Sequence, residues 1–240
     1  MINGKSVSLC MVVYNDSCEV KKLVEWLKGQ QLIDEVVIVD QGSEESESVI
    51  LESLADQYIK TTNKGNADFD RQFCYSLATK DYIIAFDADE FITEENCVIL
   101  RKLMNDYEFE CLWFKFNNNV TFEDKTVSIK DVLGEDPHPR FWKKLVGDDK
   151  RQVPTMIWPT GAHQFPQINT QKIVYSECCF EHNRQLVNIV KTHLRRGKAI
   201  DQNAQGQEKK FVKILLEKFG NDIKKKLETQ IPELIEYLKN

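Results

Sequence analysis

The stretch Tyr82-Ile83-Ile84-Ala85-Phe86-Asp87-Ala88-Asp89-Glu90-Phe91 limits what this chain can become more than any other. An apolar run runs straight into three carboxylates within four positions. A short apolar run bounded by polar residues suits a buried strand of a parallel sheet, although periodicity alone leaves a helix open. In an open α/β sheet, ligands bind beyond the carboxyl ends of the strands. Asp87, Asp89 and Glu90 are therefore expected at the working edge of a sheet. Carboxylates crowded against a buried strand repel one another and are costly to desolvate. A divalent cation would resolve that conflict. Asp87-x-Asp89 lets two side chains on one side of an extended segment converge on a hard ion, magnesium or manganese, with substrate phosphates completing its shell. The alternative is a solvated turn or a helix N-terminus, because Glu94 and Glu95 follow and acids favour a helix's first turn.

Other apolar runs earlier in the chain have similar endings. Val7 to Tyr14 reads as a first buried strand that closes in Asn15-Asp16-Ser17, and Glu35 to Asp40 as a second that ends in an aspartate. Between them, Val20, Leu23, Val24 and Leu27 mark one face of a helix from about Glu19 to Lys28. Gln41-Gly42-Ser43 makes a turn, and Ser43 with Glu45 to Glu47 starts a helix running to about Ala55. Tyr58 to Lys60 is a short third strand, Asn63 to Asn66 a turn, and a helix from about Ala67 to Ala78 leads back to the acidic strand. Strands alternating with helices of this length predict an α/β fold with a doubly wound, mainly parallel sheet. If the strands are parallel, Tyr14 with Asp16, Asp40, and Asp87 with Asp89 meet at one edge. An aspartate placed like Asp40 can accept hydrogen bonds from a nucleotide base or ribose, or simply shape the turn before a helix.

With 240 residues there is room for one large α/β domain with a sizeable core, or a domain plus a small extension. A net charge of −6 argues against general nucleic-acid binding, which needs a basic footprint. Apolar runs fall far short of the roughly 20 residues that span a bilayer. Met1 to Lys5 leads straight into a strand without a signal-peptide layout, which reads as a cytoplasmic protein. Seven cysteines (10, 18, 74, 97, 111, 178 and 179) form no C-x-x-C pair and are odd in number. They are expected to be reduced and largely buried, with Cys178 and Cys179 on opposite faces of a strand.

These motifs resemble, in order, those of family 2 glycosyltransferases with the A-type (GT-A) fold. The likeness is carried by Val12-Val13-Tyr14-Asn15, Val36 to Ser43, Asn63-Lys64-Gly65 with Arg71, and Phe86 to Glu90, and covers about the first 105 residues. His138 to Lys143 and Gly161-Ala162-His163-Gln164 are similar to segments of the lipopolysaccharide-core glucosyltransferase-like branch. The resemblance implies that Tyr14 and Asp40 line the nucleotide base and that Arg71 reaches towards the nucleotide or its phosphates. It places Asp87 at the ribose and the metal's hydration shell, and Asp89 on the metal itself. The implied activity is metal-dependent transfer of a hexose from a nucleotide sugar, most simply a UDP-sugar, to a hydroxyl of a glycan or lipid-linked acceptor, with inversion. The cation, Mn²⁺ or Mg²⁺, stabilises charge on the departing diphosphate. Gln41 departs from the pattern, which often has an acid there. Inversion needs a carboxylate base, often in a Glu-Asp pair after the metal motif. Glu123-Asp124 and Glu135-Asp136 are the two candidates; Asp136, nearer the His- and Arg-containing segment, is preferred.

Further strands are expected at Glu110 to Phe116, Thr126 to Ile129, Arg140 to Leu145 and Lys172 to Phe180. Of the four histidines, His138 and His193 read as surface or helix residues. His163, in a turn-rich segment, is assigned to the donor-sugar or acceptor pocket. His182, directly after a strand, is assigned to the metal shell by analogy with the late histidine of A-type folds. From Gln185 the chain reads as helices, with a break at Gly220 to Asp222 and Pro232 placed at a helix start. The expected division is a glycosyltransferase domain over 1–184, with a nucleotide half at 1–105 and an acceptor half at 106–184, and a helical extension over 185–240. That extension leaves open a peripheral membrane contact through Lys224-Lys225-Lys226 and a homo-oligomer. Two rival readings are a nucleotidyltransferase of similar fold, which usually carries a Gly-rich basic loop that Tyr14 to Cys18 lacks, and an inactive sugar- or nucleotide-binding module.

Overall fold

The computed structural model describes residues 4–128, 137–144, 156–157, 167–168, 170–197 and 202–239. The backbone packs into two units, one of residues 1–116 and 137–180, the other of residues 117–136 and 181–240.

In the first unit, strands β1 (Val7–Val13), β2 (Glu35–Asp40) and β4 (Tyr82–Ala85) are buried along their whole length. Being covered on both faces is why each reads as an unbroken apolar run rather than an alternating one. Helices α1 (Ser17–Gly29), α2 (Glu45–Leu54) and α3 (Asp68–Leu77) connect them, with the short β3 (Gln57–Lys60) between α2 and α3. β1 pairs in parallel with β2 and with β4, and β2 with β3. The carboxyl ends of β1, β2 and β4 therefore do lie along one edge.

After β4 come β5 (Glu90–Ile92), α4 (Glu94–Asp106), β6 (Cys111–Phe122), β7 (Lys125–Ser128), β8 (His138–Lys143) and β11 (Ile173–Gln185). β9 (Met156–Ile157) and β10 (Gln167–Ile168) form a separate antiparallel ribbon. The sheet runs β3-β2-β1-β4-β8-β6-β11-β5. It turns antiparallel where β8 joins β4, in the register Ile84 to Phe141 and Tyr82 to Lys143. The sheet is mixed, with a parallel half that carries the α/β crossovers.

Several expectations need correcting. β6 and β11 run well past their expected ends, so His182 lies inside a strand rather than after one. His138 is a half-buried strand residue at the start of β8, its ring edge-on to Phe116 at 5.1 Å, and is not helical. α4 is a full helix whose Thr93 side chain accepts from the backbone N–H of Asn96. Glu94 and Glu95 fill its first turn, where negative charge is favoured.

Aromatic stacking anchors the acidic strand end. Phe86, the residue before Asp87, stacks on Phe180 at 4.4 Å, and Phe180 also meets Phe114 at 4.6 Å. All three are fully buried. In the second unit the distal residues of β6 pair with β7 through the Glu123-Asp124 turn. Val120 and Phe122 share a core with α5 (Leu186–Gly197), α6 (Gln202–Phe219), α7 (Asn221–Gln230) and α8 (Glu233–Lys239). Among the described residues no helix is long and apolar enough to cross a membrane.

Phe180→Ala is expected to lower stability by about 3–5 kcal/mol through the cavity it leaves. Denaturant unfolding checks this; a loss under about 1 kcal/mol would show that the stack adds little beyond ordinary burial.

Candidate functional site

The tips of β1 and β2 are tied together by hydrogen bonds. The Gln41 N–H donates to the Val13 carbonyl at 2.8 Å. Asn15 adopts a left-handed backbone, φ 55°, which asparagine tolerates better than most residues. Its N–H donates to Ser43 Oγ at 2.9 Å, and its Oδ1 accepts from the Glu44 N–H at 2.8 Å. Beside this knot the Tyr14 ring is 46% exposed, free to present a face to a ligand.

Asp40 is fully buried. Its Oδ1 accepts from the Ser43 N–H at 2.8 Å, and its Oδ2 from Ser48 Oγ at 2.6 Å and Tyr58 Oη at 2.7 Å. Burial alone would raise its pKa, but the bonds from Ser43, Ser48 and Tyr58 outweigh it and hold the carboxyl below its ordinary value. Burial, and then the bond to Asp40, push the Tyr58 phenol up to about 12. Asp40 thus fixes the turn that follows β2. Gly42 in that turn has φ +79°, and a Cβ there would meet the Thr61 carbonyl at 3.2 Å.

Gln41 also has a defined task. Its Nε2 donates to Asp70 Oδ2 at 2.8 Å and to the Asn66 carbonyl at 3.1 Å. Asp70 is buried and also paired with Lys64 Nζ at 2.5 Å. An acid at position 41 would face the Asp70 carboxylate, so the departure from the usual pattern is matched by the partner across from it.

At the end of β4 the chain makes a reciprocal turn. The Asp87 N–H donates to Glu90 Oε2 at 2.9 Å and the Glu90 N–H returns to the Asp87 carbonyl at 3.0 Å. Asp87 is half-buried and gripped by two guanidiniums. Arg71 Nη2 lies 2.7 and 3.0 Å from its two oxygens, and Arg140 Nη2 lies 3.1 Å from Oδ2. Arg71 is itself held by Asp68 at 2.9 Å, and Arg140 makes a closer ion pair with Glu90. Burial works against both guanidiniums, but Asp87 and Asp68 around Arg71, and Glu90 and Asp87 around Arg140, keep them firmly protonated.

Asp89 is exposed at the same edge. Across from it, the Asp16 carboxyl is raised above its ordinary value, first by burial and then by the Asp89 charge, with Glu47 and Glu19 adding to it. Asp16 and Asp89 thus feel each other's charge at this edge, and carboxylate oxygens are the hard donors that a magnesium- or manganese-like ion takes. Among the described residues no three His, Cys, Asp or Glu side chains form a metal group by themselves. Such an ion would need substrate oxygens and water as further ligands.

Tyr14, Asp40, Arg71, Asp87 and Asp89 all belong to the first unit. His182 belongs to the second, where its Nδ1 lies 2.9 Å from Asn118 Oδ1. On neighbouring positions Glu181 accepts from Asn117 and Asn119 at 2.8 and 2.7 Å. Asp136, Glu135 and His163 lie outside the described residues. Glu123 of the other acidic pair sits in the β6–β7 turn and pairs with Lys226 at 2.6 Å. Sequence reasoning missed Arg140 as a partner of Asp87 and Glu90. The available signal was a lone arginine inside an apolar strand, His138-Pro139-Arg140-Phe141-Trp142, since a buried charge needs a counter-ion.

Asp40 and Asp70 carry lowered values, so they add stability above the unfolded carboxylate value of about 3.9. That stability is lost as pH falls through their folded values. Asp40→Asn should lower the melting temperature at pH 7 and narrow the drop between pH 7 and pH 3, read by thermal melts at both. An unchanged pH-dependence would contradict this linkage. Gln41→Glu should lower stability at pH 7 by about 1–3 kcal/mol through repulsion and loss of the Asp70 bond. Denaturant midpoints check it.

Among solved structures the chain is similar to S. aureus TarS, at 20% identity and TM-score 0.41, over 47% of this chain and 22% of that one. It is similar to the mannosyltransferase PcManGT from Pyrobaculum calidifontis, solved with GDP-Man and Mn²⁺, at 16% identity and TM-score 0.36, over 45% of this chain and 34% of that one. Glucosyl-3-phosphoglycerate synthase from Mycobacterium tuberculosis, solved with Mn²⁺, UDP and glucosyl-3-phosphoglycerate, matches at 13% identity and TM-score 0.36, over 49% of this chain and 45% of that one. The match thus spans less than half the length of each of these proteins. The sequence profile described as glycosyl transferase family 2 matches residues 8–164, more than half of the chain. The chain belongs to the family 2 glycosyltransferases.

Proposed function

We propose that this protein is a metal-dependent glycosyltransferase that moves a hexose from a nucleotide sugar, a UDP-sugar, to a hydroxyl of a glycan or lipid-linked acceptor with inversion. One observation carries the reading: three parallel strand tips bring an exposed tyrosine, a hydrogen-bonded turn and an exposed carboxylate to a single edge of the family's sheet. In this reading the Tyr14 ring lies against the base, with the Asp40 turn beside it. Arg71 faces the nucleotide's phosphates through its hold on Asp87, and Asp87 serves the ribose and the cation's hydration shell.

Asp89, with Asp16 near it, would hold a magnesium or manganese ion together with the diphosphate. Such an ion supplies electrostatic stabilisation to the leaving diphosphate. His182 is proposed as a further ligand of that ion, His163 as a contact to the donor sugar or acceptor, and Asp136 as the base that takes the acceptor's proton. The His138 to Lys143 segment supports placement in the lipopolysaccharide-core glucosyltransferase-like branch. Cysteines that are largely buried thiols suit a reducing, cytoplasmic setting.

Calorimetry with UDP, GDP and CMP, each with and without Mn²⁺, tests the reading on wild type and Asp89→Ala. The expected result is UDP binding that strengthens with manganese, and an Asp89→Ala protein that loses about ten- to a hundredfold in that metal-dependent part. Equal, weak and metal-independent signals for all three nucleotides would overturn it in favour of an inactive binding module.

A further inference from the structure

Arg140 sits where β8 meets the end of β4. The register Ile84 to Phe141 carries it alongside the point at which the chain leaves the sheet for Asp87. It is 7% exposed and its guanidinium carbon lies 5.4 Å from the centre of the Phe116 ring. One nitrogen, Nη2, serves both Asp87 Oδ2 and Glu90 Oε1, while its Nε is buried with no hydrogen-bond partner among the described residues. Leaving such a group unsatisfied costs stability, so a side chain held this way is placed for what its other end does.

We propose that Arg140 is a positioning residue for the donor site: with Arg71 it locks both oxygens of Asp87, and Glu90 is the counter-ion that keeps it there. This rests on the donor-site reading given above. Arg71 Nη2 reaches both oxygens from α3. The second guanidinium grips Oδ2 from the neighbouring strand β8, so the carboxylate is held from two elements at once. It also offsets the Asp87 charge beneath an edge that must admit a diphosphate, so Asp89 is left as the carboxylate offered to a cation. In the motif Asp87-Ala88-Asp89-Glu90 the three acids then have separate tasks: Asp87 is fixed, Asp89 is presented, and Glu90 is spent inside the fold.

A purely structural ion pair would predict something different, and the two can be separated. Arg140→Met leaves Glu90 buried without its partner, which is strongly destabilising. Glu90→Gln combined with Arg140→Met removes both charges and keeps an acceptor for the Asp87 N–H, so the fold should recover. Thermal melts and calorimetry would be run on wild type and both variants, using whichever of UDP or GDP the wild type binds more tightly with Mn²⁺. The double variant is expected to regain most of the wild-type melting temperature yet remain about ten- to a hundredfold weaker in the manganese-dependent part of binding, with the metal-free affinity shifting far less. Recovery of manganese-dependent binding along with the melting temperature would overturn the positioning role and leave only a structural pair. Full manganese-dependent binding by Arg140→Met would overturn it as well. A wild type that binds neither nucleotide in a manganese-dependent way would overturn the donor-site reading itself, a result distinct from either of these.

Discussion

The rest of the site depends on one half-buried carboxylate held by two arginines. Asp87 stands at the point where a fully buried strand gives way to an acidic turn, and Arg71 and Arg140 both face its carboxylate. Each arginine has its own anchor, Asp68 on α3 and Glu90 after β4. The chain of ion pairs therefore links a helix, the central parallel strand and the first antiparallel strand of the sheet. Isolated surface pairs add little to stability, but buried, interlocked ones are costly to break singly. Losing one member would disturb the position of all the others.

The parallel half of the fold was legible because the physics behind it is local. β1, β2 and β4 are covered on both faces, so their apolar runs announce them, and β2 matches its expected bounds residue for residue. α1 follows from Val20, Leu23, Val24 and Leu27 at helical spacing, all buried. The later strands were harder. β6 carries Asn117, Asn118 and Asn119 in its interior, and asparagine is a poor strand former, so its pattern breaks off before the strand does. β11 likewise continues through Glu181-His182-Asn183-Arg184. What sustains the strands there is pairing between side chains: Glu181 with Asn117 and Asn119, and His182 with Asn118. Cross-strand partners far apart in sequence leave no local signature.

At the site, the acids and Tyr14 were readable from their place after strands, but their engagement was not. Asp40 looks alike in sequence whether it faces a ligand or three internal donors, and the Ser48 and Tyr58 bonds decide its surroundings. Gln41 looked like a bare departure from the family pattern until Asp70 appeared across from it. Arg140 stands 53 positions from Asp87 and reaches it through strand pairing alone. Compensations of this kind are fixed by three-dimensional neighbours, so a family pattern flags the odd residue without naming the one that answers it.

The most direct test of this account is a crystal structure of the chain with UDP and Mn²⁺, with the metal located from its anomalous signal. The account predicts the nucleotide along the β1, β2 and β4 tips and the manganese bonded to an Asp89 oxygen. Both Asp87 oxygens should remain held by Arg71 and Arg140. Manganese bonded to Asp87 with the arginines displaced, or nucleotide bound away from that edge, would contradict it.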